Sequence, residues 1–433
     1  MKSLLLSAAT AMAITTTLGA DELSDLKSQL KILSERLSTL EVNDKKQVEK
    51  TDVLTSELIN VQNQTSFTAV DASKAIQGMS PAASKVYYSK SPLSIGGYGE
   101  LYYSSYNDNV NDSAGKNDKG DAYRFIPYIG YKFTDNIILN SEIEFEHGGS
   151  EVAVEQLYVD FIINRLATVR VGDQLVPMGY TNLYHEPTLF NTVQRPDVEK
   201  LLIPSTWHEL GVSVYGQTHN VAYNIGTFAA LDMNNPDASG TKWIKEARIA
   251  SKSQDGVENM AIVARLDYNG INGLQVGISG YTGKAGKAAI AGKEEGQMSM
   301  YDIHGVYQNE GFKARALYTE SHLSNAGSYK TNMPESARGG YVNLEYNILP
   351  YFMSSTDRMP LFFQYENYNL ATKIANNGGS FGTTQSFTYG LNYFPHDQVV
   401  LKAEYTLRHN ENTATASSNK NEGIYSLGLG FIF

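Results

Sequence analysis

The chain has 433 residues and no cysteine, so disulfide bonds and thiolate metal sites are excluded. Its formal net charge of -11 at pH 7 argues against a nucleic-acid partner. Hydrophobic residues make up 42% of the chain, which also carries 29 tyrosines. This composition fits a barrel that hides an apolar side chain at every second position.

Residues 1–20 predict a secretory signal peptide. A lysine stands at the second position, residues 4–18 are uncharged and largely apolar, and the small residues Gly19 and Ala20 precede Asp21. The apolar run is too short and too early to span a membrane, and cleavage after Ala20 is expected. No later stretch offers the roughly 18 consecutive apolar residues that a spanning helix needs.

Residues 21–65 predict a periplasmic coiled coil. One heptad register, with spacings of three and four, runs through Leu23, Leu26, Leu30, Leu33, Leu37, Leu40, Asp44, Gln47, Thr51, Leu54, Leu58, Val61 and Thr65. The polar positions in the middle of this seam cost stability but select register and strand number. A lone amphipathic helix lying on another surface is the alternative. Residues 66–92 have no sustained period and carry Gly78, Pro81 and Pro92, which predicts a linker, partly ordered at best.

From residue 93 to residue 433 the apolar pattern changes to period two, which predicts a transmembrane β-barrel of 16 antiparallel strands. The last strand ends on alternating bulky residues, from Tyr425 to Phe433. Tight turns at nearly every second junction, with longer polar loops between them, place both termini on the periplasmic side. The predicted strands are 93–106, 121–133, 136–147, 152–163, 166–175, 207–216, 220–231, 257–268, 272–282, 298–308, 311–322, 337–348, 359–370, 384–394, 397–409 and 421–433.

The parity of each strand separates a lipid face from a lumen face. In the third strand Ile137, Leu139, Ile143 and Phe145 should face lipid. A charge facing hydrocarbon near the midplane would cost roughly 2 to 4 kcal/mol, so the many inward charges predict an interior that holds water. A lumen plugged by paired ions is the alternative. The predicted pore-lining residues are Arg124, Lys132, Glu142, Glu144, Asp160, Arg170, Arg265, Arg315, Lys402, Glu404 and Arg408.

The third external loop, residues 176–206, is a long stretch without periodic pattern. The segment GDQLVPMGYTNLYHEPTLFNTVQRPDVEKLLIPSTWHELG resembles Gram-negative porins related to the phosphate-selective O and P type, and the opening strand IGGYGELYY is similar to theirs. A signal peptide followed by a coiled coil resembles the DcaP-type trimeric members of that group. The resemblance covers most of residues 93–433.

This resemblance implies an outer-membrane porin that passes small hydrophilic solutes or ions by passive diffusion, assembled as a homotrimer in outer-membrane lipid. The third loop would fold inward, and the residues of the pore constriction or its anchor would be His185, Glu186, Arg195, Asp197, Glu199 and Trp207. Arg195 would either contact permeating anions or pair with Asp197 or Glu199 at the wall. His185 and Glu186 form a hydrogen-bonded pair more readily than a metal or substrate site.

The third loop departs from the phosphate-selective pattern because Lys200 is its only lysine, so phosphate specificity is not inherited. Inward carboxylates are as numerous as inward arginines, which leaves the sign of the field open. A structural tether, with the coiled coil reaching peptidoglycan, is the alternative function. An enzyme is not expected, because His147 near Ser150 lacks a persuasive third member. No cofactor or metal is expected either.

Overall fold

A computed structural model describes the chain over residues 20–64, 70–76, 78–106, 118–249, 257, 259–290, 292–376, 378–411 and 421–433. The predicted signal peptide, apart from Ala20, lies outside the described residues. The chain divides into two compact units, Met1–Ser66 and Phe67–Phe433.

The first unit contains one helix, α1, over Ala20–Gln64. It confirms that the heptad segment is helical. Several seam leucines are solvent-exposed on this single chain, namely Leu30, Leu33, Leu37, Leu40 and Leu54. An exposed apolar stripe is what partner helices cover in a coiled coil, so the coiled coil remains a prediction that the helix supports. Within the described ranges, no helix is both long and apolar enough to cross a membrane.

The second unit is a closed antiparallel barrel built from 16 strands of the described residues, which confirms the predicted fold class. Each strand pairs with its neighbours in the chain, and β1 pairs with β16. The strands are β1 Leu93–Tyr106, β2 Lys119–Thr134, β3 Ile137–Glu146, β4 Glu151–Asn164, β5 Ala167–Leu175, β6 His208–Gln217, β7 Val221–Ala229, β8 Met260–Ile271, β9 Leu274–Lys284, β10 Gln297–Asn309, β11 Phe312–Leu323, β12 Pro334–Asn347, β13 Pro360–Ile374, β14 Thr384–His396, β15 Val399–Asn410 and β16 Asn421–Ile432.

The barrel closes at the C-terminus. The amide of Phe433 donates to the carbonyl of Gly97 at 2.9 Å, and the amide of Gly97 donates back at 3.0 Å. The ring of Phe433 stacks on Phe125 with centroids 6.0 Å apart. A Cβ on Gly97 would lie 2.4 Å from the carbonyl oxygen of Ile126, so glycine permits this close approach. The terminal aromatic residue therefore seals the first strand against the last.

The alternation of faces follows the predicted parity. In β3 the side chains of Asn140, Glu142 and Glu144 are buried in the lumen, whereas those of Ile137 and Leu139 are partly exposed on the outer wall. A bulge in β4 interrupts the alternation, because the pairing with β3 shifts between Glu142 and Ile143. Short turns gather at one end of the barrel and longer loops at the other, and these are called the short-turn end and the long-loop end below.

The linker prediction for residues 66–92 does not hold for the described part of that segment. Met79, Ala82 and Ala83 are almost fully buried, in one apolar cluster with Tyr98 and Ile126 of the barrel wall. A short helix, α2, covers Lys85–Tyr88. Gly78 and Pro81, which suggested a loose connection, instead lie in turns next to the buried side chains of Met79 and Ala82. Residues 78–91, called the N-terminal insert, thus lie inside the lumen.

The third loop also lies inside the lumen. It contains a short helix, α3, over Asp197–Leu201. Its apolar residues share a cluster with the barrel wall and with Trp243 of the fourth long loop; these residues are Val176, Met178, Val198, Leu202, Ile203 and Trp207. The sequence predicted an inward loop, and the structure adds that this loop has a hydrophobic core of its own.

Candidate functional site

The Glu199 carboxylate ties the third loop together. It is fully buried and accepts hydrogen bonds from the amides of Tyr180 at 2.7 Å and Thr181 at 2.5 Å. The hydroxyl of Thr181 donates to it at 2.8 Å, and the Tyr341 hydroxyl on β12 donates at 2.6 Å. Four donors saturate this carboxylate, so Glu199 holds the loop in place and does not face the channel water.

Charged side chains of β15 hold the same loop from the wall. The Lys402 ammonium donates to the carbonyls of Phe190 at 2.8 Å and Thr192 at 2.9 Å, and it lies over the Phe190 ring. Glu404 accepts from the amide of Val193 at 2.8 Å. On this one strand a cation thus binds loop carbonyls, and a carboxylate two residues later binds a loop amide.

Two arginines extend this anchoring around the barrel. Arg315 on β11 donates to the carbonyl of Leu189 at 2.6 Å. Arg265 on β8 pairs with Asp267 at 2.7 Å and donates to the carbonyl of Gly179. Loop carbonyls inside a barrel need donors, and these guanidinium groups supply them.

His185 and Glu186 have separate partners, so the expected bond between them is not present. The Nδ1 of His185 donates to the carbonyl of Asn182 at 2.9 Å, while its Nε2 lies 3.3 Å from Glu142. Glu186 accepts from the amides of Ala82 at 2.9 Å and Ala83 at 3.1 Å. Burial raises the pKa of Glu186 to about 7. Glu186 thus joins the third loop to the N-terminal insert.

Arg195 pairs with neither Asp197 nor Glu199, so both predicted wall pairings are wrong. Its Nη2 donates to the Tyr98 hydroxyl at 3.1 Å and lies 3.8 Å from Glu100, both on β1. The Nε of Arg195 is buried without an acceptor among the described residues. The side chain is therefore a wall anchor that also borders a lumen cavity.

Asp197 lies at the accessible edge of the loop. It pairs with Lys200 at 2.8 Å and with Arg408 of β15 at 2.5 Å, and Arg408 also lies 3.3 Å from Glu422. The Lys200 and Arg408 side chains keep 29% and 27% of their surface exposed. The two cations near Asp197 lower its pKa below the usual range against the opposing effect of burial. These are charges that a solute in the lumen can reach.

Most remaining predicted lining residues are paired within the wall. Arg124 contacts Glu144 at 3.1 Å and Glu146 at 2.7 Å. Arg170 contacts Asp160 at 2.8 Å. The ion-paired plug that the sequence left as an alternative thus describes this side of the lumen. Lys132 instead binds the N-terminal insert.

Described residues line two cavities in the lumen. The first, of about 230 Å³, lies beside the third loop; its charged lining residues are Lys119, Arg195, Asp197, Lys200, Glu366, Glu404 and Arg408. The second, of about 750 Å³, lies toward the short-turn end; its charged lining residues are Arg165, Arg170, Arg265 and Asp267.

The family model of the phosphate-selective porins O and P matches residues 119–433. The chain belongs to this family. A protein of Aquifex aeolicus, described as uncharacterized, is 34% identical over 363 residues, which cover 77% of this chain and 80% of that protein. The chain is thus an outer-membrane porin, and it passes small hydrophilic solutes or ions by passive diffusion.

Solved porins share the fold at low identity. OmpF of Salmonella typhi, in complex with daunomycin, aligns with a TM-score of 0.53 at 10% identity, over 79% of this chain and 97% of that one. The channel DcaP of Acinetobacter baumannii aligns with a TM-score of 0.52 at 10% identity, with the same coverage. The anion-selective porin of Comamonas acidovorans gives a TM-score of 0.50 at 11% identity, over 79% and 99%.

Among the described residues of the porin lumen, Glu155 and Arg248 are inward charges that strand parity does not indicate. The bulge in β4 turns Glu155 inward next to Gln156, and both side chains are buried. Arg248, from the long loop after β7, reaches inward and donates to the carbonyl of Thr206 at 3.5 Å. A bulge leaves no period-two signal, and no local pattern marks an arginine of a distant loop as inward.

Glu146, His147 and Glu151 place potential metal-ligand atoms within 4.8 Å of one another at the long-loop end of the porin. Glu146 is already paired with Arg124 at 2.7 Å. His147 lies 2.6 Å from Asp121, and this carboxylate raises the pKa of the imidazole. Two of the three residues are therefore already paired in the wall network.

Proposed function

We propose that this porin favours small anions, because cations outnumber carboxylates in the lining of both lumen cavities. The cavity beside the third loop has four cations and three carboxylates. The cavity toward the short-turn end has three arginines and one carboxylate. The surplus arises although the whole chain carries a net charge of -11. A confined cavity with one dominant sign of charge concentrates ions of the opposite sign.

The exposure of the charges on the cavity walls also supports a preference for anions. Asp160 is fully buried behind Arg170, so a solute in the larger cavity meets the guanidinium first. Arg408 and Lys200 flank Asp197 and are more exposed than it, at 27% and 29% against 12%, so a solute in the smaller cavity meets these cations first. Such sites suit anions with several oxygen atoms, since guanidinium groups donate in a planar fork.

The third loop would act as the constriction in this proposal. It is fastened to the wall by Glu199, Lys402, Glu404 and Arg315, which leaves Arg408 and Lys200 beside the cavity. We infer no catalytic activity. Passage would be passive, and selectivity would depend on fixed charge and on cavity size.

Assembly belongs to the same proposal. OmpT of Vibrio cholerae has been solved in a trimer form and aligns with a TM-score of 0.50 at 11% identity, over 79% of this chain and 99% of that one. The exposed leucine stripe of α1 would be buried if three copies of α1 formed the predicted coiled coil in the periplasm. A tether to peptidoglycan through this coiled coil is the second candidate function, which a peptidoglycan pull-down of the whole protein, compared with a variant lacking residues 21–65, would test.

The decisive experiment is the reversal potential of the purified porin in a planar bilayer under a potassium chloride gradient. We expect stable conducting steps and a reversal potential of the sign that anion preference gives. Conduction with cation preference would contradict the proposed selectivity. A bilayer that stays sealed at every protein concentration would contradict the channel itself.

A further inference from the structure

The N-terminal insert, residues 78–91, occupies the half of the lumen toward the short-turn end. We propose that this insert is part of the channel wall, that it narrows this half of the pore, and that Glu186 is the residue that positions it. The inference deepens the proposed channel function and rests on it.

The insert is bonded to the inner wall on β2 and β3. The side-chain amide of Asn140 donates to the carbonyl of Ala83 at 3.0 Å. The Lys132 ammonium donates to the carbonyl of Ser89 at 2.7 Å. Asn140 lies near the start of β3 and Lys132 near the end of β2, so both contacts lie toward the short-turn end. The backbone of the insert is thus held by inward side chains.

A polar cluster on β4 to β6 fixes the other side of the insert. The Tyr87 hydroxyl donates to Asp160 at 2.6 Å and accepts from Arg170 at 3.1 Å. Arg170 also contacts the sulfur of Met79 at 3.4 Å. Arg170 borders the larger cavity as well. One guanidinium therefore binds the insert and faces the space through which a solute would pass.

The third loop binds the N-terminal part of the insert, residues 80–83. Glu186 accepts from the amides of Ala82 and Ala83, and Ser80 donates its hydroxyl to the carbonyl of Leu183 at 3.0 Å. The amide donors lie in a turn of the insert, and Glu186 is their acceptor inside an otherwise apolar cluster. Removing that carboxylate would leave two buried amides without a partner.

The insert also borders open space. Gly78 of the insert lines the larger cavity, as do Ala75 and Ile76 just before the insert and Tyr223 and Asn224 of β7. Among the described residues, the insert forms no strand pairing with the barrel. It is held by bonds from wall and loop side chains to its backbone and by side-chain bonds such as that of Tyr87 to Asp160. A barrel of 16 strands is wide enough to leave an aqueous channel, so a segment of this size inside it limits the cross-section.

The test uses thiol labelling, because the chain has no cysteine of its own. Ala75→Cys places a single thiol in the larger cavity, and a bulky methanethiosulfonate reagent is added during single-channel recording. We expect a stepwise loss of conductance on labelling. Lys293→Cys, on the exposed loop after β9, is the matched control and should show none. Labelling at Ala75→Cys without any change of conductance would overturn the proposal.

A second variant tests the positioning residue. Replacing Glu186 with Ala should raise single-channel conductance and speed labelling at Ala75→Cys, whereas Glu186→Gln, which keeps one acceptor oxygen, should have a smaller effect. Replacing residues 78–91 with a glycine–serine chain of equal length should raise conductance by roughly twofold, since the barrel alone is wide. Unchanged conductance in all three would contradict the inference, whereas a wild-type protein that conducts nothing would contradict the channel function.

Discussion

The third loop and the N-terminal insert both fill the lumen, but they are held in different ways. The loop combines a hydrophobic core with saturated buried groups such as Glu199 and Lys402. The insert has a smaller apolar cluster and depends on side chains that bind its backbone, notably Glu186 and Lys132. The comparison teaches that many inward charges of a wide barrel serve as anchors, and only a minority face the water.

The largest effect is expected at Glu199. Replacing it with Ala leaves several buried donors of the third loop without an acceptor, so the free energy of unfolding should fall by about 3 kcal/mol or more. Denaturant titration in detergent would measure this loss by fluorescence, because both tryptophans, Trp207 and Trp243, are buried in the cluster of the loop. Glu186→Ala, which frees two amides, should cost less. Equal losses of unfolding free energy in the two variants would contradict the claim that the third loop is held more firmly than the insert.

Charge reversal at Arg408 should have the next largest effect, and this effect is measured as a change of ion selectivity. Arg408→Glu changes the charge beside the smaller cavity by two units. The anion-to-cation permeability ratio should fall roughly fivefold, since charges about 4 Å apart interact by about 1 kcal/mol even in water. Lys293→Glu on an exposed loop is the control, because surface charge is screened within about 8 Å at physiological salt. Equal shifts of reversal potential in both variants would assign selectivity to surface charge.

Deleting residues 21–65 removes α1 and leaves the third loop and the N-terminal insert in place. The barrel closes through its own strands, so the deletion should leave single-channel conductance unchanged. If α1 forms the proposed coiled coil, the oligomer should dissociate at a lower temperature, because the leucine stripe of α1 would no longer join the copies. Heat-dependent mobility in gel electrophoresis would measure this. Failure of the shortened barrel to insert would show that helix and barrel are not independent.

The smallest effect is expected at Lys132, which binds the C-terminal end of the N-terminal insert. Replacing it with Met removes its bond to the carbonyl of Ser89 and should lower the free energy of unfolding by about 1 kcal/mol. Single-channel recordings should show greater current noise, because the insert moves more freely. A loss as large as that for Glu199→Ala would mean that the insert is part of the folding core of the barrel.

The number of strands, their faces and the helix could all be predicted from the sequence. Each depends on a local period, such as the alternation from Ile137 to Phe145 or the heptads of α1. The inward course of the third loop came from resemblance to a family, since the loop has no period of its own. Its residues His185, Glu186 and Arg195 are buried, their partners were not predicted, and their place in a pore constriction stays a prediction.

Those partners were decided by the tertiary structure alone. Glu186 and Ala82 are separated by 104 residues, and Arg195 and Tyr98 by 97, so no spacing in the sequence links them. Barrel closure brings these residues together, and a buried donor or acceptor then bonds to whichever group lies opposite. The N-terminal insert was missed for the same reason. Its turns resemble a linker by composition, and only the space enclosed by the closed barrel gives its buried apolar residues a surface to pack against; these are Met79, Ala82, Ala83 and Val86.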